Sequence, residues 1–344
     1  MQLFEEISTL LSGQKPFVCY VKPNESIWNL QVQQTNEIVA FSGQSGFVFM
    51  PFDAGVKLCL PTEISTFSQG NFENLEQKSA NKFTSAANQK EAFENLVSKG
   101  IAAIQNDAFD KVVLSRKIVL NEQISVVATF QNLIATYPTA FRYLFFHPKI
   151  GLWMGATPEQ LVKINQNQFE TVALAGTQLF SEYIIWNTTE IEAQQFVTDF
   201  IVSEMASKVK NLVVSETKTI KAGNLAHLKS IITGKLTGDF SALDLIMTLH
   251  PTPAVCGLPK ESALDFIQKN EAFDRTYYSG FLGEYNSNNQ TDLFVNLRCL
   301  EVVNDAVNIY VGCGITNDSN PEMEFLETEN KSMTMRNIIV FSGQ

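Results

Sequence analysis

Apolar and polar positions near the N-terminus alternate in short runs that glycine, proline and asparagine interrupt. Within residues 16–60, the runs PFVCYV, EIVAFSG and GFVFMPFD predict the strands and turns of a meander. Residues 63–85 are rich in Ser, Asn and Gln, which predicts a surface connection. The spacing then changes to that of a helix over residues 89–106. Its apolar stripe consists of Phe93, Leu96, Val97 and Ile101.

Strand patterns and helix patterns follow one another in groups over the rest of the chain. Strands are predicted at KVVLSRKIVL, FRYLFFHP, GLWMGAT, YYSGFLGEY, DLFVNLRCLEV and AVNIYVGCGI. Helices are predicted at VVATFQNLIATYP, from about Thr188 to Lys210, on each side of HPTPAVCGLPK, and from about Asn320. Because the strands come in hairpin-like clusters, the pattern predicts an α+β fold with antiparallel sheets flanked by helices. We expect one large domain over residues 1–344.

Composition narrows the range of partners. The chain has 344 residues, of which 45% are hydrophobic, and this is enough to bury a large core. Its net charge of −11 disfavours nucleic acid and anionic membranes as partners. No apolar run is long enough to span a bilayer, and MQLFEEISTLL carries acids where a signal peptide carries bases. These features predict a cytoplasmic protein.

Cysteine and histidine give no sign of a disulfide framework or of a zinc site. The five cysteines are scattered along the chain without a CxxC pair, which predicts reduced thiols. The three histidines show no HxxxH spacing, which disfavours zinc.

The stretch NPEMEFLETENKS, residues 320–332, allows two interpretations. In the first, it begins an ordinary solvent-facing helix. Asn320 is then the N-cap and Pro321 the first helical residue. Glu322 lies in the first turn, where the helix dipole favours acids.

In the second interpretation, the same helix supplies half of a metal site. Glu324, Glu327 and Lys331 share one helical face. Two carboxylates one turn apart suit Mg²⁺, and the lysine would hold an anion. Just upstream, Gly312 and Gly314 would let a ligand approach the backbone closely. Spacing alone leaves both interpretations open.

Eight segments with conserved order and spacing resemble the chorismate-utilising enzymes, and among them the isochorismate synthases. The resemblance covers residues 90–340 and implies a single α+β domain whose buried cleft binds chorismate and Mg²⁺. Residues 1–85 carry no matching motif and form a divergent, strand-rich part. The matching segments are FDKVVLSR, GATPEQL, VALAGT, AHLKSIITGKL, HPTPAVCGLPK, FDRTYYSGFLGEY, VNLRC and GCGITNDSNPEMEFLETENK.

The resemblance assigns the proton-transfer groups to Lys111 and Glu159. Lys111 would be the base that deprotonates water, and the apolar residues after it would lower its pKa by desolvation. Glu159 would be the general acid, kept protonated by an apolar pocket near Trp153 and Met154. Without the resemblance, Lys111 would be interpreted as a solvent-facing lysine and Glu159 as part of a turn.

The resemblance also assigns the substrate contacts. Arg298 in LFVNLRCL would pair with a substrate carboxylate, to which its bidentate geometry is suited. Chorismate is the partner implied, and we expect a monomer without a glutaminase subunit. The other expected substrate-binding residues are Gly176, Thr177, His227, Ala254, Val255, Tyr278, Gly312, Gly314 and Lys331.

Three residues bear on the type of reaction. Lys111 favours water as the nucleophile, because ammonia-using relatives usually carry another residue there. Ala175 stands where aminodeoxychorismate synthases have a lysine, and Ala254 stands where salicylate synthases tend to have threonine. The resemblance therefore implies a reversible, Mg²⁺-dependent isochorismate synthase that adds water at C2 and releases the C4 hydroxyl. A salicylate synthase-like enzyme is the alternative, and menaquinone or siderophore synthesis is the downstream pathway.

The helix TTEIEAQQFVTDF departs from the family pattern at one metal position. Glu327, with Glu324 nearby, matches one side of the Mg²⁺ site, but Ala193 stands where the family has a glutamate on the other. Glu190, one turn earlier on the same face, is the first candidate to replace it, and Glu192 is the second. Loss of a carboxylate would weaken Mg²⁺ binding, so a catalytically impaired chorismate-binding relative is a further alternative.

Overall fold

The computed structural model describes residues 2–72, 75, 88–222 and 225–342. Six of the helices seen there were predicted from the sequence, whereas α1 was not. None of the helices in these ranges is long and apolar enough to cross a membrane. The helices are α1 (Gln2–Ser12), α2 (Asn88–Gln105), α3 (Val126–Thr136), α4 (Thr188–Met205), α5 (Ala242–Leu249), α6 (Lys260–Asn270) and α7 (Pro321–Arg336), with a short 3-10 helix at Thr62–Ile64.

Eighteen strands occur in the same ranges of the chain. They are β1 (Phe17–Val21), β2 (Ile27–Gln33), β3 (Gly46–Met50), β4 (Leu58–Pro61), β5 (Ser65–Asn71), β6 (Lys111–Leu120), β7 (Phe141–His147), β8 (Gly151–Thr157), β9 (Gln160–Asn165), β10 (Gln168–Leu179), β11 (Val209–Val214), β12 (Lys218–Ala222), β13 (Leu225–Leu236), β14 (Gly257–Leu258), β15 (Phe281–Ser287), β16 (Gln290–Val295), β17 (Cys299–Val303) and β18 (Ala306–Ile315).

The strands form two large antiparallel sheets, which confirms the predicted α+β class. The first sheet has the spatial order β14-β6-β18-β17-β8-β7-β1-β2-β5. The second has the order β11-β13-β10-β9-β16-β15-β3-β4, and β12 pairs with β13. The N-terminal strands contribute to both sheets, since β1, β2 and β5 join the first, and β3 and β4 the second. The divergent N-terminal part is therefore an integral part of the fold.

The two sheets pack face to face around a layer of aromatic side chains. Phe49 of the second sheet stacks on Phe145 of the first, with ring centroids 4.5 Å apart. Phe141 stacks on Phe294 in the same way at 4.4 Å. Both faces of β1 are buried, because its odd positions lie in the core under the helices and its even positions face the aromatic layer. This double burial explains the uninterrupted apolar pattern of the strand.

Helices cover the outer faces of the sheets. Helices α1 and α3 and the C-terminal part of α7 pack on the first sheet. Helices α4 and α5 pack on the second, while α2 and α6 lie against β6. All five cysteines are buried and unpaired within these layers. The predicted reduced thiols are therefore confirmed.

One helix was not predicted, and two predicted segments differ from the structure. Residues 2–12 form α1, whose Leu3 and Ile7 are buried. The stretch predicted as a surface connection contains the polar edge strand β5, paired with β2, while residues 73–74 and 76–87 lie outside the described part. An edge strand that faces solvent tolerates polar side chains, so its composition resembles that of a loop. The helix predicted to reach Lys210 ends at Met205, and β11 follows.

Two strand predictions near the C-terminus also need correction. The segment DLFVNLRCLEV is not one strand, because β16 belongs to the second sheet and β17 to the first. The chain passes from the second sheet to the first between these strands. Because apolar residues continue on both sides of this passage, the sequence pattern does not reveal it. The segment YYSGFLGEY becomes a strand at Phe281, and turns occupy residues 276–280.

Candidate active site

A cavity of about 330 Å³ lies between the two sheets, α4 and α7. The first sheet contributes residues of β6 and β18 to its wall, and the second contributes residues of β10 and β13. Its size suits a small ligand. The structure brings together most of the predicted site residues, and those that line the cavity are Lys111, Glu159, Gly176, Glu190, His227, Ala254, Val255, Tyr278, Arg298, Gly312, Gly314, Glu327 and Lys331.

Lys111 begins β6 and passes beside Gly314 of the neighbouring strand β18. A Cβ added at Gly314 would lie 3.0 Å from Lys111 Cε, so the glycine leaves room for the lysine side chain. Burial lowers the pKa of Lys111, and the nearby Lys331 lowers it further, whereas Glu159 and Glu327 oppose this shift. A lowered pKa increases the neutral fraction of the amine, which is the form that accepts a proton.

Glu159 lies in the short link between β8 and β9. Its backbone N–H donates to Thr157 Oγ1 at 3.3 Å, and its carbonyl accepts from the Val295 N–H at 2.9 Å. Burial raises the pKa of Glu159 to about 7, although three neighbouring cations oppose this shift. A carboxyl group with such a pKa is partly protonated at neutral pH and can act as a general acid.

The predicted apolar neighbours of Glu159 need correction. Trp153 lies in the aromatic layer between the sheets, and Met154 lies in the core under the helices. The two residues point to opposite faces of β8 because side chains alternate along a strand. Neither lines the cavity, whose apolar wall includes Leu174 and Leu297 instead.

Arg298 lies in the link between β16 and β17, not within a strand as its apolar flanks suggested. It adopts φ 48°, which is uncommon for a residue other than glycine. Its Nη1 donates to the carbonyl of Lys331 at 3.1 Å, and its own carbonyl accepts from the Ala156 N–H at 3.0 Å. These contacts fix the guanidinium on the cavity wall, where its other donors suit a carboxylate.

Lys331 is fixed by two contacts on α7 and β18. Its Nζ donates to the carbonyl of Gly312 at 3.0 Å and lies 2.5 Å from Glu327 Oε1. The ammonium group therefore lies beside both the glycine-rich strand and the acidic helix, as the predicted shared helical face requires.

A β-bulge shapes the wall opposite β6. The register between β10 and β13 shifts between Ala175 and Gln178, and Gly176 within it has φ 69°. His227 Nδ1 donates to the carbonyl of Gly176 at 2.9 Å. Burial lowers the pKa of His227, which favours the neutral ring. The side chain of Thr177, another predicted contact, lies outside the described residues.

Two tyrosines line the cavity beside the glycines of β18. A Cβ at Gly312 would lie 3.0 Å from the Tyr278 hydroxyl, so the glycine makes room for that side chain. Tyr278 stacks on Tyr310 at 5.5 Å, and the Tyr310 hydroxyl donates to Glu301 Oε2 at 2.9 Å. Tyr310 was not predicted, yet strand alternation places it on the same face as Gly312 and Gly314.

A buried ion pair that the sequence did not reveal holds the loop with Ala254 and Val255. Arg275 Nη1 donates to the carbonyl of Val255 at 2.8 Å, and its Nη2 donates to the carbonyl of Val113 at 2.6 Å. Glu271 Oε1 lies 2.5 Å from the same Nη2. The loop is thereby tied to β6, the strand that begins with Lys111.

The structure separates the residues of NPEMEFLETENKS on which the two interpretations rest. The Met323 N–H donates to Asn320 Oδ1 at 3.1 Å, so the predicted N-cap is confirmed. Glu322 pairs with Lys90 on the surface at 2.8 Å, away from the cavity. Helix α7 is thus an ordinary capped helix at its start and lines the cavity nearly two turns later.

The two predicted metal ligands on α7 have different surroundings. Glu327 lines the cavity. Glu324 is not among the lining residues, and its Oε1 accepts from Ser319 Oγ at 2.8 Å. Burial and the nearby Glu327 raise the pKa of Glu324. Of the two carboxylates, Glu327 is therefore the one that faces a ligand directly.

Helix α4 contributes Glu190 and Ala193 to the opposite wall, whereas Glu192 is exposed. Glu190 Oε2 also completes a capping box, because it accepts from the Asn187 N–H at 3.1 Å. The same oxygen accepts from Gln178 Nε2 at 2.5 Å. Glu190 is therefore available on the wall but already has two hydrogen-bond partners.

The carboxylates of Glu327 and Glu190 are the cavity-lining oxygen donors that could hold Mg²⁺. This ion typically takes one or two carboxylates and completes its octahedron with water and substrate oxygens, so the residues present fit it. The described ranges contain no group of three His, Cys, Asp or Glu side chains arranged around one point. Ala193 adds no oxygen, so water and substrate would supply most of the coordination.

Comparison with known proteins places these observations in one family. The sequence profile described as "Chorismate binding enzyme" matches residues 55–340. Isochorismate synthase EntC of Escherichia coli is 27% identical over 84% of this chain and 79% of its own. Isochorismate synthase DhbC of Bacillus subtilis is 28% identical, covering 83% of this chain and 78% of its own. The crystal structure of DhbC from Bacillus anthracis superimposes with a TM-score of 0.81 at 24% identity. The match covers 98% of this chain and 99% of that chain.

Proposed function

Because the chain belongs to the chorismate-binding enzyme family, we propose that it is an isochorismate synthase, which converts chorismate reversibly to isochorismate. The observation that carries the proposal is the pairing of Lys111 and Glu159 in one cavity. Burial shifts the pKa of the lysine down and that of the glutamate up. A base and an acid are thus both available near neutral pH.

In this mechanism the residues move protons at two positions of the ring. The neutral amine of Lys111 takes a proton from the water that adds at C2. The carboxyl of Glu159 gives a proton to the C4 hydroxyl, which leaves as water while the double bonds shift. One water enters and one leaves, so the reaction is balanced without an oxidant or reductant.

The substrate carries two carboxylates, and the cavity offers cations to hold them. Arg298 and Lys331 are both fixed on the wall by hydrogen bonds to backbone carbonyls. Glu327 and Glu190 would hold Mg²⁺, which when bound neutralises a substrate carboxylate that two glutamates would otherwise repel. His227 lines the same cavity and is held in place by its hydrogen bond to the Gly176 carbonyl.

The choice of isochorismate as final product rests on three residues. Lys111 suits activation of water, and Ala175 and Ala254 stand where ammonia-using and salicylate-forming relatives carry other residues. We propose a single chorismate-binding domain that acts in the cytoplasm as a monomer and without a glutaminase subunit. Its product would supply menaquinone or siderophore synthesis.

Product identification tests this proposal. The protein is incubated with chorismate and Mg²⁺, and the products are separated by chromatography and by a coupled isochorismatase assay. We expect isochorismate, and isochorismate as substrate should return chorismate. Salicylate with pyruvate, or an aminated product when ammonia is added, would overturn the assignment within the family.

A second candidate function follows from Ala193, which leaves the α4 wall without the glutamate expected there. The protein would then bind chorismate without converting it. Calorimetry at high Mg²⁺ separates the two functions, because binding without turnover would support the second and turnover would eliminate it.

A further inference from the structure

A second, smaller cavity lies behind the general acid. It has a volume of about 10 Å³ and is enclosed by β9, β10, α4, α5 and the loop that follows α5. Glu159, Leu174 and Ala254 line both this cavity and the larger one. Glu159 therefore lies on the boundary between the substrate cavity and a small interior space.

The small cavity is apolar except near Glu159 and two threonines. Thr252 Oγ1 is buried and has no hydrogen-bond partner among the residues that the structure describes. Thr171 Oγ1 donates to the carbonyl of Leu161 at 2.6 Å and keeps its acceptor lone pairs. Gln160 also lines the cavity, but its amide donates to Asp292 Oδ1 at 2.7 Å.

A buried hydroxyl without a partner needs an explanation, because such groups are nearly always hydrogen-bonded in native proteins. One water molecule needs roughly 10–15 Å³ and two to four polar partners. Among the residues that line the cavity, Glu159, Thr252 and Thr171 carry oxygen atoms that could hydrogen-bond to such a water. The amide of Gln160, in contrast, already donates to Asp292. Both the size and the chemistry of the small cavity fit a single water.

We propose that the small cavity binds one water molecule, which Thr252 holds against Glu159. Thr252 is then a positioning residue for the general acid. This inference rests on the proposed function only for the role of Glu159 in turnover. The water site itself depends on the cavity and the unpartnered hydroxyl.

The bound water would affect which protonation state Glu159 favours. A water that donates to the carboxylate stabilises its charged form, in surroundings where burial favours the neutral form. The charged groups that face Glu159 are Lys111 on β6, Lys331 on α7 and Arg298 in the link between sheets. All three are on the substrate side, so Thr252 acts on the acid from the other side.

The first test compares Thr252→Val with Thr252→Ser. Valine has the same shape as threonine but cannot hold the water. The charged form of Glu159 would then lose a hydrogen-bond donor, so its pKa should rise. The pH above which kcat declines should therefore increase by about 0.5–1 unit. Serine keeps the hydroxyl, and its profile should match that of the unchanged protein. Thr248→Val, on α5 outside this cavity, is the matched control. The proposal is overturned if the pH profile of kcat is the same for Thr252→Val and Thr252→Ser.

The second test does not depend on catalysis. A high-resolution crystal structure of the full chain should show an ordered water within hydrogen-bond distance of Thr252 Oγ1 and the Glu159 carboxyl. In the Thr252→Val protein this water should be lost. A dry cavity in the unchanged protein would overturn the proposal even if isochorismate is formed. If the ordered water is present but the protein does not convert chorismate, the proposed water site stands and the proposed isochorismate synthase function is contradicted.

Discussion

Two walls of the main cavity differ in what sets the charge of their side chains. The strand side carries Lys111 and Glu159, and the helix side carries Glu327, Glu190 and Ala193. On the strand side, burial is the main cause that moves the pKa of Lys111 down, with help from Lys331, and it moves the pKa of Glu159 up. On the helix side, Glu327 is paired with a lysine, and Glu190 already accepts two hydrogen bonds. Ala193 adds no carboxylate to the helix side.

This difference indicates that the two sides tolerate change unequally. Desolvation of Lys111 and Glu159 comes from both sheets and many neighbours, so no single remote substitution abolishes it. Cation binding on the helix side would rest on two carboxylates that each have another partner. The proposed proton chemistry would thus depend on the fold as a whole, whereas the proposed cation affinity should respond to a single residue on α4.

The largest effect should come from removing the acid on the strand side. Glu159→Gln keeps the shape of the side chain but cannot give up a proton, so kcat should fall by about 10²–10⁴-fold. Steady-state turnover of chorismate measures the change, and Mg²⁺ affinity from calorimetry should stay the same. Glu322→Gln, on the exposed start of α7, is the matched control and should be neutral. A loss below tenfold would contradict the role given to Glu159.

The pH dependence should follow the strand side as well. Because the pKa of Glu159 is raised to about 7, its protonated form is present below that pH and is lost above it. We therefore expect kcat/KM, which reports the groups of the free enzyme, to decline with a midpoint between about pH 6 and 8, approaching tenfold per pH unit beyond it. A profile measured at chorismate concentrations well below KM and at saturating Mg²⁺ checks this. A curve without a descending limb below pH 9 would contradict the assignment.

A smaller gain should come from completing the helix side. Ala193→Glu adds a carboxylate to the cavity wall and should tighten Mg²⁺ binding by about 10–100-fold, the range over which supporting groups tune metal sites. Calorimetric titration with Mg²⁺ in the absence of chorismate measures it. Glu192→Gln changes an exposed carboxylate on the same helix and should leave the affinity unchanged. Equal affinities for Ala193→Glu and the unchanged protein would show that this wall does not limit cation binding.

The smallest effect should come from the start of α7. Asn320→Ala removes the N-cap and should lower the free energy of unfolding by about 1 kcal/mol. Urea denaturation measures the loss, and Asn320→Asp, which keeps an acceptor, should restore most of it. At saturating Mg²⁺ the alanine variant should retain full kcat, because the cap lies about two turns from Glu327.

Local patterns predicted the parts of the site that depend on one element. Helical spacing placed Glu327 and Lys331 on one face, and the structure pairs them in the cavity. The roles expected of Lys111 and Glu159 came instead from the resemblance to the chorismate-utilising enzymes, because local spacing alone left Lys111 as a solvent-facing lysine and Glu159 as part of a turn. Only the pairing on α7 could be predicted from a single element.

Features that depend on how distant segments pack could not be predicted in this way. The crossing between the sheets at Arg298 is hidden, because apolar residues continue on both sides of it. The buried pair of Glu271 and Arg275 looks like an i,i+4 surface pair in sequence, and only the fold shows that it supports Val255. The alternation of side chains along β18 could have predicted Tyr310, because it lies on the same strand face as Gly312 and Gly314.

The contact between Gly314 and Lys111 has an evolutionary consequence. A Cβ at residue 314 would lie 3.0 Å from Lys111 Cε, so each of these two residues limits what the other can be. A lineage that replaced the lysine by a shorter side chain would relax the requirement for glycine 203 residues later in the chain (314 − 111). The two positions should therefore change together among relatives that use a different nucleophile.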